Sequence, residues 1–148
     1  MTDYQVVLKE LAPCGLDCSR CSSYSEGEIK KLSTELLNAL GNFEKVAARL
    51  AGFVPALKNY PEFKEVLIFF TQGSCSGCRA GGGQFPLCSA RNCFKEKGVD
   101  FCFQCDEYPC ARNKYDPELL ARWRKMNDRM KEASVEHFYE EQKGRPRY

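Results

Sequence analysis

Residues 75–110, CSGCRAGGGQFPLCSARNCFKEKGVDFCFQCDEYPC, hold seven of the chain's ten cysteines and decide how the rest is read. Glycines at 77, 81, 82, 83 and 98 break up regular structure here. Such a segment builds little apolar core, and metal ligation is a sensible way to stabilise it. Cys75/Cys78 and Cys102/Cys105 are Cys-x-x-Cys pairs, and Cys18/Cys21 is a third. Each such turn delivers two sulfurs to one ion, and zinc takes four ligands in a tetrahedron. The simplest local site is Cys75, Cys78, Cys88 and Cys93. It leaves two triplets, Cys14/Cys18/Cys21 and Cys102/Cys105/Cys110, to share one four-thiolate site or to form a two-metal cluster. A zinc ribbon of Cys75, Cys78, Cys102 and Cys105 is the competing arrangement. The local pairing is preferred because it closes shorter loops. The triplet in APCGLDCSRC (residues 12–21) has no fourth thiol nearby. A ligand from far along the chain would staple the N-terminus to the glycine-rich block. All ten cysteines are thus candidate ligands, with two zinc sites expected.

The chain has 148 residues, 43% hydrophobic and 28% charged, which fits one folded domain. No apolar run is long enough for a transmembrane helix, so no membrane role is expected. The start, MTDYQVVLKELAP, lacks a signal peptide's basic region and apolar run, so a cytoplasmic location is the expectation. In a reducing compartment thiols bind metal more often than they form disulfides. The formal charge is +2. Two four-thiolate zinc sites would carry it to roughly −2, because bound cysteines are deprotonated. Nominal basicity therefore gives no support for nucleic-acid binding.

The cysteine-free stretch 22–74 reads as helices. Ser25 and Glu28 have capping-box spacing. Ile29, Leu32, Leu36, Leu37 and Leu40 follow on one face, and Gly41 is a stop. Asn42 caps a second helix carrying Phe43, Val46, Ala47 and Leu50. Pro61 opens a third, with Phe63, Val66, Leu67 and Phe70 at helical spacing. A short helix is expected over 89–97. Asp116–Pro117–Glu118 starts the last helix, which the spacing of Leu119, Trp123, Met126, Met130 and Ala133 carries to about 141. The expected fold is mainly α, in a single domain over 1–148. Its helical parts are 22–70 and 116–141. A small, irregular or zinc-ribbon-like cysteine-rich lobe comprises 12–21 and 71–115. Phe94, Phe101, Phe103 and Tyr108 are expected to shield the metal sites, and Trp123 to pack in the core.

The combination CGLDCSRCSSY, CSGCR and LCSARNCFKEKGVDFCFQCDEYPC resembles the cysteine-rich bacterial and archaeal proteins of domain-of-unknown-function family 3795. The resemblance covers about residues 12–112 and includes all ten cysteine positions. It implies a metal-binding domain and no particular activity.

Other chemistries were weighed on the residues. Cys14-x3-Cys18-x2-Cys21 has radical S-adenosylmethionine spacing, but 22–74 shows no alternating strands for the barrel those enzymes use. An iron–sulfur redox protein, with its cluster on Cys14, Cys18, Cys21 and Cys110, is the main alternative to zinc. A nucleic-acid-binding zinc protein would use Arg122, Arg124, Lys125 and Arg129. Interleaved acids such as Asp128, Glu132 and Glu136 read instead as a solvated helix face. His137 is the chain's one histidine and is read as an exposed or rim residue, so a cysteine–histidine hydrolase is not expected. The glycines 81–83 lack the Lys-Ser/Thr of a phosphate loop and read as a flexible connector. The reading is a structural zinc module serving a protein partner, not an enzyme.

Overall fold

In the computed structural model, residues 2–148 are described. Seven α-helices form among them: α1 (Tyr4–Glu10), α2 (Glu28–Leu40), α3 (Phe43–Leu50), α4 (Tyr60–Thr71), α5 (Ala90–Lys97), α6 (Pro117–Ala133) and α7 (Val135–Lys143). Short 3-10 turns occupy Pro55–Asn59 and Cys102–Gln104. No strand forms among the described residues; a single antiparallel bridge joins Leu11 and Asp17. The fold is therefore mainly helical. The cysteine-rich segment holds turns and α5, without the hairpins of a ribbon. No described helix is long and apolar enough to cross a membrane.

The chain divides into two compact units, Arg20–Ser74 and the remainder. In the first, α2 packs along α4, and α3 meets α4 through the Phe43–Tyr60 ring contact at 5.2 Å and the Lys64–Glu44 ion pair at 3.0 Å. Lys30 donates to the Gly73 carbonyl at 2.8 Å. Gly41 ends α2 at φ +49°, as its position predicts. The capping box does not form: Gly27 occupies the cap position, one residue before Glu28, with no side chain to serve it. Leu67, Ala47 and Tyr60 are buried, but Leu32, Leu36, Val46, Leu50, Phe63, Val66 and Phe69 stay exposed. Three short helices have too little mutual surface to cover both flanks of their apolar stripes.

The second unit is built on two apolar clusters. In one, Val7 and Leu11 of the N-terminal segment meet Phe101, Met126, Met130, Val135 and Phe138. Gly15 fits here because its φ is +93° and an added Cβ would lie 2.9 Å from Met130 Cε. In the other, Trp123 is surrounded by Ala12, Ala90 and cysteines. Helix α1, outside the helical parts expected from the sequence, is seven residues long and is capped by Asp3, which accepts from the Gln5 N–H at 2.8 Å. The last helix does not run unbroken to 141 but breaks at Ser134, where φ is +81° and ψ is 157°. The break turns Val135 and Phe138 into the same cluster as α1.

The Ser134 backbone lies in a region glycine prefers, at a cost of about 1–3 kcal/mol for other residues. Its hydroxyl accepts weakly from the His137 N–H at 3.3 Å, and Ser→Gly at a cap costs only a few tenths of a kcal/mol. Ser134→Gly is therefore expected to raise the melting temperature by roughly 3 °C. A lower melting temperature in a thermal scan would contradict this account of the break.

Candidate metal centre

Nine of the ten cysteines are positioned by three segments of the second unit. The N-terminal segment brings Cys14 and Cys18; the loop before α5 brings Cys75, Cys78 and Cys88; α5 and the turn after it bring Cys93, Cys102, Cys105 and Cys110. Cys21 falls in the other unit. The N-terminal segment is tied to the cysteine block through its backbone: the Cys102 N–H donates to the Pro13 carbonyl at 2.9 Å. Asn127, fully buried on α6, donates to the Cys14 carbonyl at 3.0 Å and accepts from the Phe103 N–H at 3.1 Å. Arg79 adds bonds to the Leu11 and Asp100 carbonyls.

The loop carrying the first Cys-x-x-Cys pair is tight. The Gly77 N–H donates to Cys75 Sγ at 3.4 Å, and the Cys75 thiol donates to the Gly82 carbonyl at 3.2 Å. A Cβ on Gly82 would lie 2.1 Å from Ser76 Oγ. This glycine run is thus a close backbone crossing, where a flexible connector was expected.

Cys14 and Cys88 meet directly. The adjacent Cys88 sulfur, together with burial, holds the Cys14 thiol protonated well above the usual thiol range. The neighbouring Cys14 thiol, joined by the Tyr115 hydroxyl at 2.9 Å and the Arg91 and Ala90 N–H groups at the start of α5, lowers Cys88 to about 6 against the opposing effect of burial. Burial raises Cys78 to about 11, with the sulfurs of Cys88 and Cys75 adding to it. Cys18, Cys78, Cys102 and Cys110 pack against the cluster of Cys14, Cys88 and Trp123.

Cys93 borders a surface groove with Cys88 and also faces a second group of cysteines. With Cys102, Cys105 and Cys110 it lines a cavity of about 20 Å³, walled also by Tyr108 and Trp123. Burial raises Cys102 to about 12, and the opposing contact is the indole N–H of Trp123. That N–H is buried and has no hydrogen-bond acceptor within ordinary reach. Cys102 packs against the cluster that holds Trp123, and both side chains line the cavity. Of the aromatics expected to shield the sulfurs, Phe94 and Tyr108 line the cavity, whereas Phe101 and Phe103 belong to the other apolar cluster.

No disulfide joins any of the ten cysteines. Among the described residues, no three Cys, His, Asp or Glu side chains stand close enough to hold a metal ion as they lie. The donor chemistry nonetheless fits a thiolate-binding ion: sulfurs converge from distant segments, and a buried N–H lacks an acceptor. Each sulfur hangs on a single rotatable bond with three staggered positions, so rotamer changes alter the sulfur separations without moving the backbone.

His137 is more than half exposed, with Nε2 3.2 Å from Glu141 Oε1. On α6, Arg129 pairs with Glu141 and Glu132, while Arg122, Arg124 and Lys125 line an open groove with Asp128. Asp128 accepts from the Tyr108 hydroxyl at 2.7 Å.

Over residues 10–115 the chain matches the model of a family described as protein of unknown function, DUF3795. No curated protein and no solved structure matches it.

Proposed function

We propose, from the premise that this chain belongs to the DUF3795 family, that it is a metal-binding protein whose cysteine thiolates hold zinc in a structural role. The observation that carries this reading is the packing of Cys14, Cys18, Cys78, Cys88, Cys102 and Cys110 about Trp123, with no disulfide among them. Free thiols gathered from three segments have few uses in a core. As apolar fillers they are small; as ligands they bind an ion whose binding energy becomes folding energy. Zinc would supply that energy and no turnover. The exposed Leu32, Leu36, Val66 and Phe69 on α2 and α4 offer a surface for a protein partner.

The test is metal content after anaerobic purification. A colourless protein with about two zinc ions per chain is expected, as two four-thiolate sites require. A brown protein rich in iron and sulfide would replace zinc with an iron–sulfur cluster. A metal-free, well-folded, reduced protein would refute the reading.

A further inference from the structure

The sequence-local pairing groups Cys93 with Cys75, Cys78 and Cys88. The geometry points to a different ligand set: Cys93, Cys102, Cys105 and Cys110 share one ion, and the Trp123 indole N–H donates to the Cys102 thiolate. This assignment rests on the metal-binding reading and goes beyond it by naming which sulfurs meet and what tunes them.

Two independent observations support it. The first is the cavity of about 20 Å³ that these four side chains line together. A space of that size admits one water, yet a buried water needs two to four polar partners. The exposed walls are almost all sulfur and carbon, although the side chains of Lys97, Glu107 and Arg112 also border the space. A soft dication that takes thiolates would find four cysteines around the space, whose sulfurs must turn inward to meet it, since no three stand close enough as they lie. The second is Trp123. Its ring is buried at 1% exposure and its Nε1 has no acceptor. A buried N–H left unbonded costs about 1–3 kcal/mol. A neutral thiol is a weak acceptor. A metal-bound thiolate carries negative charge and accepts strongly. Ion binding at Cys102 would therefore give the indole the partner it lacks. Cys93 shares a surface groove with Cys88, but of these two only Cys93, within α5, also borders the cavity lined by Cys102, Cys105 and Cys110.

Elemental analysis of the full chain and its variants tests the ligand set. Cys93→Ala and Cys105→Ala are each expected to lose one ion per chain, and the double variant to lose the same single ion. The local pairing puts these two cysteines in separate sites, so loss of two ions by the double variant would overturn the assignment. Absence of any thiol-bound ion in the wild-type chain would instead sink the metal-binding reading itself. The role of Trp123 is read from Trp123→Phe in the cobalt-substituted protein. The ion count should be unchanged, the sulfur-to-cobalt charge-transfer band should shift, and affinity should fall by roughly 10-fold, the lower end for loss of an outer-shell partner. A variant with wild-type band position and affinity would show that the indole does not touch the bound sulfur.

Discussion

Asn127→Ala is expected to lower the melting temperature by at least roughly 10 °C, at about 3 °C per kcal/mol for a chain of this size. Asn127 is fully buried, and one side chain serves three backbone groups. Its Oδ1 accepts from the Phe103 N–H at 3.1 Å; its Nδ2 donates to the Cys14 carbonyl at 3.0 Å and the Trp123 carbonyl at 2.9 Å. Trp123 and Asn127 are one helical turn apart, so the third bond is local. The other two join α6 to the turn after α5 and to the N-terminal segment. Truncation leaves the Phe103 N–H and the Cys14 carbonyl without their partner, at about 1–3 kcal/mol each. A void adds to this, because the fully buried site has no solvent to refill it. The sum is on the order of 4 kcal/mol, a large share of a typical domain's stability. Lys125→Ala, on the same helix but exposed, should change little. A shift of less than about 3 °C for Asn127→Ala in matched thermal scans would mean that the clasp is not needed.

Much of the helical framework was legible because its signals are local. Asp116 caps α6 as expected, accepting from the Leu119 N–H at 2.9 Å, and Gly41 ends α2. What could not be read depends on distant partners. The apolar spacing Trp123, Met126, Met130 continues smoothly to Ala133, with no glycine or proline to mark the break at Ser134, and only the step of five from Met130 to Val135 leaves the helical register. The bend arises because α7 packs on α1, where the Tyr139 hydroxyl donates to Glu10 Oε2 at 2.9 Å. Helix α1 itself has two turns, too few for a periodic signal. The cysteine positions were plain in the sequence, but their neighbours were not. Loop length favours Cys88 beside Cys93, and the two do share a groove, but that argument is blind to the Cys102–Cys110 turn that the fold brings against Cys93. Asn127 gave no sign at all: a lone asparagine on a charged helix reads as surface, and only the fold shows the three backbone groups it serves.

If the thiolates hold zinc as proposed, stripping it from the reduced chain is expected to dissolve the unit formed by the N-terminal segment and residues 75–148. The magnitudes decide this. Structural zinc in small thiolate sites contributes about 10–16 kcal/mol of apparent binding energy at neutral pH. A domain's whole stability is about 5–15 kcal/mol, so one vacated site can exceed it. The unit has little to fall back on between Cys75 and Tyr115, where apart from α5 and a 3-10 turn the chain is turns and loops. Trp123, the chain's single tryptophan, reports on the outcome directly. It is 1% exposed and stacked edge-on against Tyr108 and Tyr115 at 5.2 and 6.2 Å. On chelation under reducing conditions its fluorescence should move to the red and its near-ultraviolet dichroism should vanish. Far-ultraviolet dichroism should retain the contribution of α2, α3 and α4, whose mutual packing involves no cysteine. Readdition of zinc should restore the tryptophan signal. A metal-free, reduced chain that kept Trp123 buried and melted at the original temperature would mean that the apolar clusters alone hold this unit, and that the thiols are passengers in it.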